Sequence, residues 1–248
     1  NCAADLSQGN DTQSSNLCFE PVKTTSYEVG FEQQIGMNAA LDITAFYKEV
    51  LDQVSVRNLE SNVNTYAAYV NGDFGNTKGF SFDFTLRRTN RISANMNYTM
   101  QWANGTGSDP RTSYRIAWIG GDYATYVSPL DFDQRHTAMV NVDFRTLAED
   151  GPAIGDFYPL GGLGFNFFFR YGSGLAYTPE TPRSVFFSAA HTRLPTGGIN
   201  SAHAPATSQL NIRIDKRIKV GRFVLNPYIW IINALNTKNQ TFVYTATG

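Results

Sequence analysis

The segment from residue 92 to residue 102 constrains the fold more than any other part of the chain. Apolar and polar side chains alternate along all eleven of its residues, ISANMNYTMQW. Successive side chains of a β-strand point to opposite faces, so this segment predicts a strand with one apolar and one polar face. Its length is about twice that of a usual strand in a globular protein. It matches the ~9–11 residues that a tilted strand needs to cross a bilayer.

The same alternation recurs in seven further segments, so the sequence predicts about eight long strands. The seven are residues 27–35, 41–48, 80–87, 138–145, 163–171, 210–215 and 223–235. Segments 163–171 and 223–235 are less regular, because apolar side chains also occupy their second face.

Short turns and long polar loops connect these segments in strict alternation. The short turns are residues 36–38, 89–91 and 219–222, and a longer turn lies at 146–162. The long loops are residues 57–68, 104–135, 172–208 and the stretch from 236 onward. This asymmetry is typical of outer-membrane barrels, which have short periplasmic turns and long extracellular loops. The sequence therefore predicts an all-β fold of antiparallel transmembrane β-barrel strands.

Composition excludes several other classes of protein. With 20 basic and 21 acidic side chains, the chain lacks the basic face of a nucleic-acid binder, so no nucleic-acid partner is expected. Its 18 Phe, 13 Tyr and 3 Trp are too many for a disordered chain. No apolar run approaches the ~18 residues of a membrane helix.

The polar faces of the predicted strands carry charged side chains of both signs, which we predict to line the barrel lumen. They are Glu28, Glu32, Asp42, Lys48, Asp83, Arg87, Asp143, Arg145, Arg213 and Asp215. Near-equal numbers of opposite charges fit ion pairing inside a small closed barrel of eight strands. They equally fit the wet wall of a wider barrel, and the sequence leaves both open.

Two further groups of residues are candidates for specific roles. Cys2 and Cys18 predict a disulfide, which would close a loop of roughly 15 residues and stabilise the fold by about 3 kcal/mol. Two unpaired thiols are the alternative. Aromatic side chains in the long loops are candidate ligand contacts, because they offer flat area with a polar handle. These are Tyr114, Trp118, Tyr123, Tyr126, Phe186 and Phe187.

The sequence carries no pattern typical of a catalytic or metal-binding site. The histidines His136, His191 and His203 are not at ligand spacing, and there is no G-x-S-x-G nucleophile elbow. We therefore expect no enzyme activity, no metal and no cofactor.

Five segments, in order along the chain, carry a resemblance to a known family. They are residues 27–32 (YEVGFE), 71–72 (NG) with 77–80 (TKGF), 129–136 (PLDFDQRH), 171–174 (YGSG) with 177–179 (YTP), and 232–236 (INALN). Together they resemble the C-terminal third of TonB-dependent outer-membrane receptors, especially the Bacteroidota-type members. The segment PLDFDQRH is the most specific of them.

The resemblance implies a location in the bacterial outer membrane and a role in importing a nutrient of the siderophore, glycan or peptide class. It implies a barrel of twenty-two strands, of which this chain supplies about eight, with residues 1–24 as an extracellular loop segment carrying the cysteine pair and residues 25–248 as barrel strands and loops. Expected partners are outer-membrane lipid, the remainder of the barrel and its plug, and the TonB system through an N-terminal part. A surface lipoprotein is a further candidate. The alternative is a structural or adhesive barrel that transports nothing and binds a partner through its loops.

Overall fold

A computed structural model describes residues 20–60, 65–110, 126–155, 158–182 and 195–248. In these ranges the regular elements are all β-strands: β1 (Lys23–Ile35), β2 (Ala39–Glu60), β3 (Thr65–Thr89), β4 (Ile92–Gly105), β5 (Ser128–Pro129), β6 (His136–Arg145), β7 (Leu163–Gly172), β8 (Ala176–Tyr177), β9 (Ala202–His203), β10 (Thr207–Lys216), β11 (Ile218–Val220), β12 (Phe223–Leu225) and β13 (Tyr228–Ile231). Over the same ranges, no helix has the length and apolar character to cross a membrane.

Nine of the strands form one antiparallel sheet, and in eight of them chain order and spatial order agree. The order is β1-β2-β3-β4-β6-β7-β10-β13, and β5 pairs with the end of β4 beyond β6. Each strand lies beside the one that precedes it in this series, so the predicted meander of antiparallel strands is confirmed. Two small two-stranded pairs, β8–β9 and β11–β12, stand apart from it.

The predicted short turns are confirmed by backbone angles that only certain residues adopt readily. Gly36, Asn90 and Gly221 have φ values of +61°, +55° and +58°, one in each of the three tight turns. Glycine and asparagine tolerate this left-handed region at the lowest cost, so these turns return the chain without strain.

The predicted loop at 57–68 is wrong in its bounds, because β2 and β3 continue to Glu60 and start at Thr65. These strands have 22 and 25 residues, whereas ~9–11 suffice to cross a bilayer. Their outer halves are therefore a hairpin that projects beyond the membrane. The hairpin is polar because water surrounds it on both faces. Polarity alone does not distinguish a solvent-exposed strand from a loop, so the sequence predicts a loop here.

The predicted strand at 223–235 is divided in two. Phe223–Leu225 pairs back on β11, and Tyr228–Ile231 joins β10 in the main sheet. Pro227 lies between them, and proline has no N–H to donate to a ladder. Its carbonyl still accepts a hydrogen bond from the Lys216 N–H at 3.1 Å, so the chain stays beside β10.

The apolar and polar faces of the sheet are the predicted ones. Its small core lies at one end. Apolar residues meet across the strands, as in the pairs of Phe82 with Tyr98 and Met96 with Val140. The side chains of this apolar face are exposed or half-buried, as expected of a wall that faces lipid. Buried apolar side chains lie toward the long-loop end, at Val56, Ala68, Ala103, Leu130 and Ala176.

Candidate functional site

The polar face of the sheet brings three predicted carboxylates into one row. Glu32 is opposite Asp42 on the neighbouring strand, and Asp42 is opposite Asp83 on the next. Asp42 accepts a hydrogen bond from Thr44 Oγ1 at 2.8 Å, and Asp83 accepts one from Asn97 Nδ2. Among the described residues, none of the three carboxylates forms an ion pair.

Two other predicted residues, Arg145 and Asp215, form a buried ion pair at the short-turn end of the same face. Arg145 donates from Nη1 and Nη2 to the two carboxylate oxygens of Asp215 at 2.9 and 3.0 Å. Asp215 is 5% exposed and Arg145 is 26% exposed. Such a two-pronged contact fixes orientation as well as charge.

The remaining predicted wall charges are held in different ways. Asp143 pairs with Arg88. Arg88 is not among the predicted residues, because a register shift between Leu86 and Thr89, just before the turn, changes the face on which it lies. Arg213 lies over the ring of Tyr228 at 4.5 Å.

Glu28 accepts a hydrogen bond from Ser26 at 3.3 Å. Arg87 lines a cavity together with Glu32, and Lys48 is exposed opposite Thr77.

Residues 129–136, the most specific segment of the sequence, form a junction at the loop end of the sheet. The carboxylate of Asp133 accepts a hydrogen bond from the N–H of Ala103 at 2.8 Å, and both residues are essentially inaccessible to solvent. On either side, Leu130 N–H bonds the Ala103 carbonyl and Gln101 N–H bonds the Arg135 carbonyl, each at 3.0 Å. The Asp133 side chain therefore takes the place of a backbone acceptor where the chain leaves the ladder.

The end of the same segment contacts the apolar face. Arg135 binds Asp133 at 3.2 Å and lies over the ring of Trp102, 5.2 Å from its centroid. His136 Nδ1 and the Tyr98 hydroxyl are 2.8 Å apart, and the two rings are stacked. His136 thus lies in the sheet, in contact with Tyr98 of the neighbouring strand.

Asn200 links two of the long loops. It is 4% exposed and its φ is +53°. Its Nδ2 donates to the Pro129 carbonyl at 2.8 Å and to Asp131 Oδ1 at 2.7 Å, and its N–H donates to Thr178 Oγ1 at 3.0 Å. The loop after β7 is therefore bonded directly to the loop before β6.

A third buried carboxylate, Asp73, lies in the projecting hairpin and is not among the residues predicted from the sequence. Asp73 is 3% exposed and pairs with Arg57 at 3.1 Å. Thr106 Oγ1 donates to the same oxygen at 3.0 Å. A side chain on Gly107 would place its Cβ 2.5 Å from the other oxygen, so a glycine is needed for this close packing.

Several predicted residues lie outside the described part of the chain. Cys2, Cys18, Tyr114, Trp118, Tyr123, Phe186, Phe187 and His191 are among them. Their roles, and the disulfide, remain predictions. Tyr126 is described and is 54% exposed, whereas His203 is exposed beside β8. Over the described ranges, no group of three or more His, Cys, Asp or Glu is placed to hold a metal ion.

Comparison with known proteins places this wall in a defined family. The family model described as "TonB dependent receptor-like, beta-barrel" matches residues 3–226. The fold is similar to the outer membrane transporter YddB from Escherichia coli, with 14% identity, a TM-score of 0.59, and coverage of 89% of this chain and 29% of that one. It is also similar to the FrpB iron transporter from Neisseria meningitidis, with 12% identity, a TM-score of 0.55, and coverage of 89% and 28%. A comparison with curated protein sequences finds no match.

The chain therefore belongs to the TonB-dependent receptor β-barrel family and is a β-barrel segment of the bacterial outer membrane. The resemblance stated from the sequence is confirmed. The chain spans less than a third of the length of these two solved structures.

Proposed function

We propose that this chain is the wall and rim of a TonB-dependent transporter that imports a nutrient across the outer membrane. One observation carries the proposal: Glu32, Asp42 and Asp83 form a row, and among the described residues none of the three forms an ion pair. Inside a narrow, side-chain-filled barrel, each of these carboxylates would lose its hydration at a cost of several kcal/mol. In a wide barrel they face water.

Family membership supports the same size of barrel. The model for the family matches residues 3–226, and two transporters share the fold while being more than three times as long. The proposal therefore includes a plug, the remaining strands and the TonB system as partners, with outer-membrane lipid around the wall. A surface lipoprotein above the loops is a further candidate.

We infer that substrate binds at the rim, where the loops are bonded into one body by Asn200. The loop aromatics named from the sequence are candidate contacts, and the charged polar face is the lumen wall. The substrate class remains one of the three proposed, namely siderophore, glycan or peptide. The solved relative FrpB is an iron transporter, but its 12% identity shows only a common fold and does not select among them.

The test is growth of a strain that lacks the full-length receptor, supplied in turn with each substrate class as the limiting nutrient. Transport predicts a growth defect on one class, restored by the wild-type gene only when TonB is active. If the strain without the receptor grows normally on all three classes but no longer attaches to a surface or to another cell, the adhesive alternative is favoured. Receptor-dependent uptake that continues without TonB would contradict the proposed mechanism.

The width of the barrel can be tested separately through the intact mass of the native polypeptide. A mass several times that of these 248 residues supports the wide barrel with a plug. A mass equal to that of these residues would require eight strands to close alone, and the unpaired carboxylate row would then have to be desolvated.

A further inference from the structure

The apolar face of the sheet ends, toward the long loops, in a row of aromatic and basic residues. Tyr27 is opposite Tyr47, Tyr47 is opposite Lys78, and Lys78 is opposite Trp102. Below this row the same face continues with apolar residues such as Phe80, which is opposite Met100. Tyr and Trp are enriched where hydrocarbon meets headgroups, so this row marks the outer boundary of the membrane.

Two cations lie on either side of Trp102 in this row. The Arg135 guanidinium carbon is 5.2 Å from the centre of its ring. Lys78 is directly opposite Trp102, at a position where Cβ atoms are about 4.5–5.5 Å apart. Arg135 thus lies over this interfacial ring, and Lys78 lies beside it by strand register.

The charge of this group is only partly balanced within the described residues. Arg135 is 32% exposed and uses Nη2 to bind Asp133 at 3.2 Å, while its buried Nε has no partner among the described residues. Lys78 is exposed and, in the part of the chain that the structure describes, forms no ion pair or side-chain hydrogen bond. Glu49 lies two residues farther toward the loops than Tyr47, opposite Asn76, and the ion pairs of the described residues do not join it to Lys78. Long Lys and Arg side chains near the edge of the hydrocarbon extend to headgroup level, where anionic lipid groups attract them, so the position favours an anionic lipid partner.

We propose that Lys78, Trp102 and Arg135 form a binding site, on the outside of the barrel, for a phosphate group of an outer-leaflet glycolipid. Guanidinium and ammonium groups bind phosphate through charge-assisted hydrogen bonds, and the indole offers a flat surface for a sugar ring. A lipid is the favoured source, because the group lies at headgroup level and is continuous with the lipid-facing surface below it. This inference concerns the outer wall and does not depend on transport.

The experiment measures binding of lipid A to the full-length receptor, purified in detergent and observed by native mass spectrometry. Lipid A carries phosphate on a glucosamine disaccharide, and its dephosphorylated form has the same acyl chains without the charge. Lys78→Gln is the cleanest variant, because the exposed Lys78 side chain forms no ion pair or hydrogen bond among the described residues. We expect Lys78→Gln to weaken lipid A binding about fivefold, the effect of one basic residue near a membrane surface. The wild-type receptor should bind the dephosphorylated lipid more weakly than lipid A.

Lys48→Gln is the matched control. Lys48 is at a similar height, opposite Thr77, but on the polar face of the sheet. It should bind lipid A like the wild type. Arg135→Gln should also weaken binding, and Arg135→Lys, which keeps the charge beside Asp133, should weaken it less.

Four results would overturn the inference. The first is equal affinity of the wild type for both lipids, and the second is an equal effect of Lys78→Gln and Lys48→Gln. The third is displacement of lipid A by inorganic phosphate at equal concentration, which would show a site for soluble anions. The fourth is that Lys78→Gln leaves lipid A binding intact but releases an acidic surface protein, which would assign the patch to a protein partner.

Discussion

Arg145 and Asp215 form an ion pair between two strands that are not neighbours. Strand β7 lies between them, and both residues are opposite Gly164 of that strand. A Cβ at Gly164 would lie 2.6 Å from Arg145 Nη2 and 2.7 Å from Asp215 Oδ1. The glycine is therefore what allows the pair to cross the middle strand, and one contact connects three strands of the wall.

Removing the charge of Asp215 should destabilise the receptor by leaving Arg145 without its partner. Breaking a buried pair costs about 3–5 kcal/mol, so Asp215→Asn should lower the free energy of unfolding by about 3 kcal/mol. Urea unfolding of the full-length receptor in lipid vesicles measures this. Asp42→Asn is the control, because Asp42 is on the same face without an ion pair. Equal stability of the two variants would show that the pair contributes nothing.

Gly164→Ala should act through the same pair. The new Cβ would separate Arg145 from Asp215, and overpacking typically costs about 1–3 kcal/mol. Its effect should be smaller in the Asp215→Asn background, where there is no pair left to break. A double-mutant cycle measures this difference, and full additivity would mean that the glycine is required for another reason.

The strands and their faces were predictable because alternation is a local property of the sequence. The segment predicted at residues 92–102 is β4 (Ile92–Gly105), with the predicted faces preserved in its register. The ion pair of Arg145 with Asp215 was not predictable. The pair depends on the register between two non-adjacent strands, which places both residues opposite Gly164. The alternation of apolar and polar residues does not determine that register.

The junction at residues 129–136 shows a second limit. Its sequence was recognised as specific, but nothing local indicates that Asp133 replaces a backbone acceptor for Ala103, about thirty residues earlier. The loop predicted at 57–68 failed for a related reason. Outside the membrane both faces of a strand meet water, so the apolar signal is lost although the hydrogen bonds continue.

Asp133→Ala should destabilise the rim by leaving the Ala103 N–H buried without an acceptor. An unsatisfied buried donor costs about 1–3 kcal/mol, and Arg135 would lose its carboxylate as well. Thermal unfolding and limited proteolysis of the long loops measure the effect. Asp131→Ala is the control, because Asp131 is exposed and, among the described residues, its side chain accepts one hydrogen bond, from Asn200. If Asp131→Ala were the more damaging change, the role given to Asp133 would be wrong.

The two faces of β4 should differ in their tolerance of charge. Met96→Arg places a cation on the apolar face near mid-strand, where it should cost roughly 2–4 kcal/mol in a bilayer. Asn97→Arg, one residue along, faces the polar side beside Asp83 and should be much milder. Urea titration of the receptor folded into vesicles compares them. Equal tolerance would contradict the assignment of the lipid face.

Asn200→Gly should release the loop after β7 from the loop before β6 without disturbing the wall. Glycine accepts the φ of +53°, so the substitution removes the side-chain bonds to Pro129 and Asp131 and leaves the backbone unstrained. Losing two hydrogen bonds worth about 1 kcal/mol each should speed amide exchange near residues 195–207 by roughly tenfold or more, while β4 and β6 keep their protection. Hydrogen exchange with mass spectrometry measures both regions in one sample. Unchanged exchange in the loop would show that other contacts hold it, and faster exchange in β4 would show that Asn200 supports the wall rather than the rim.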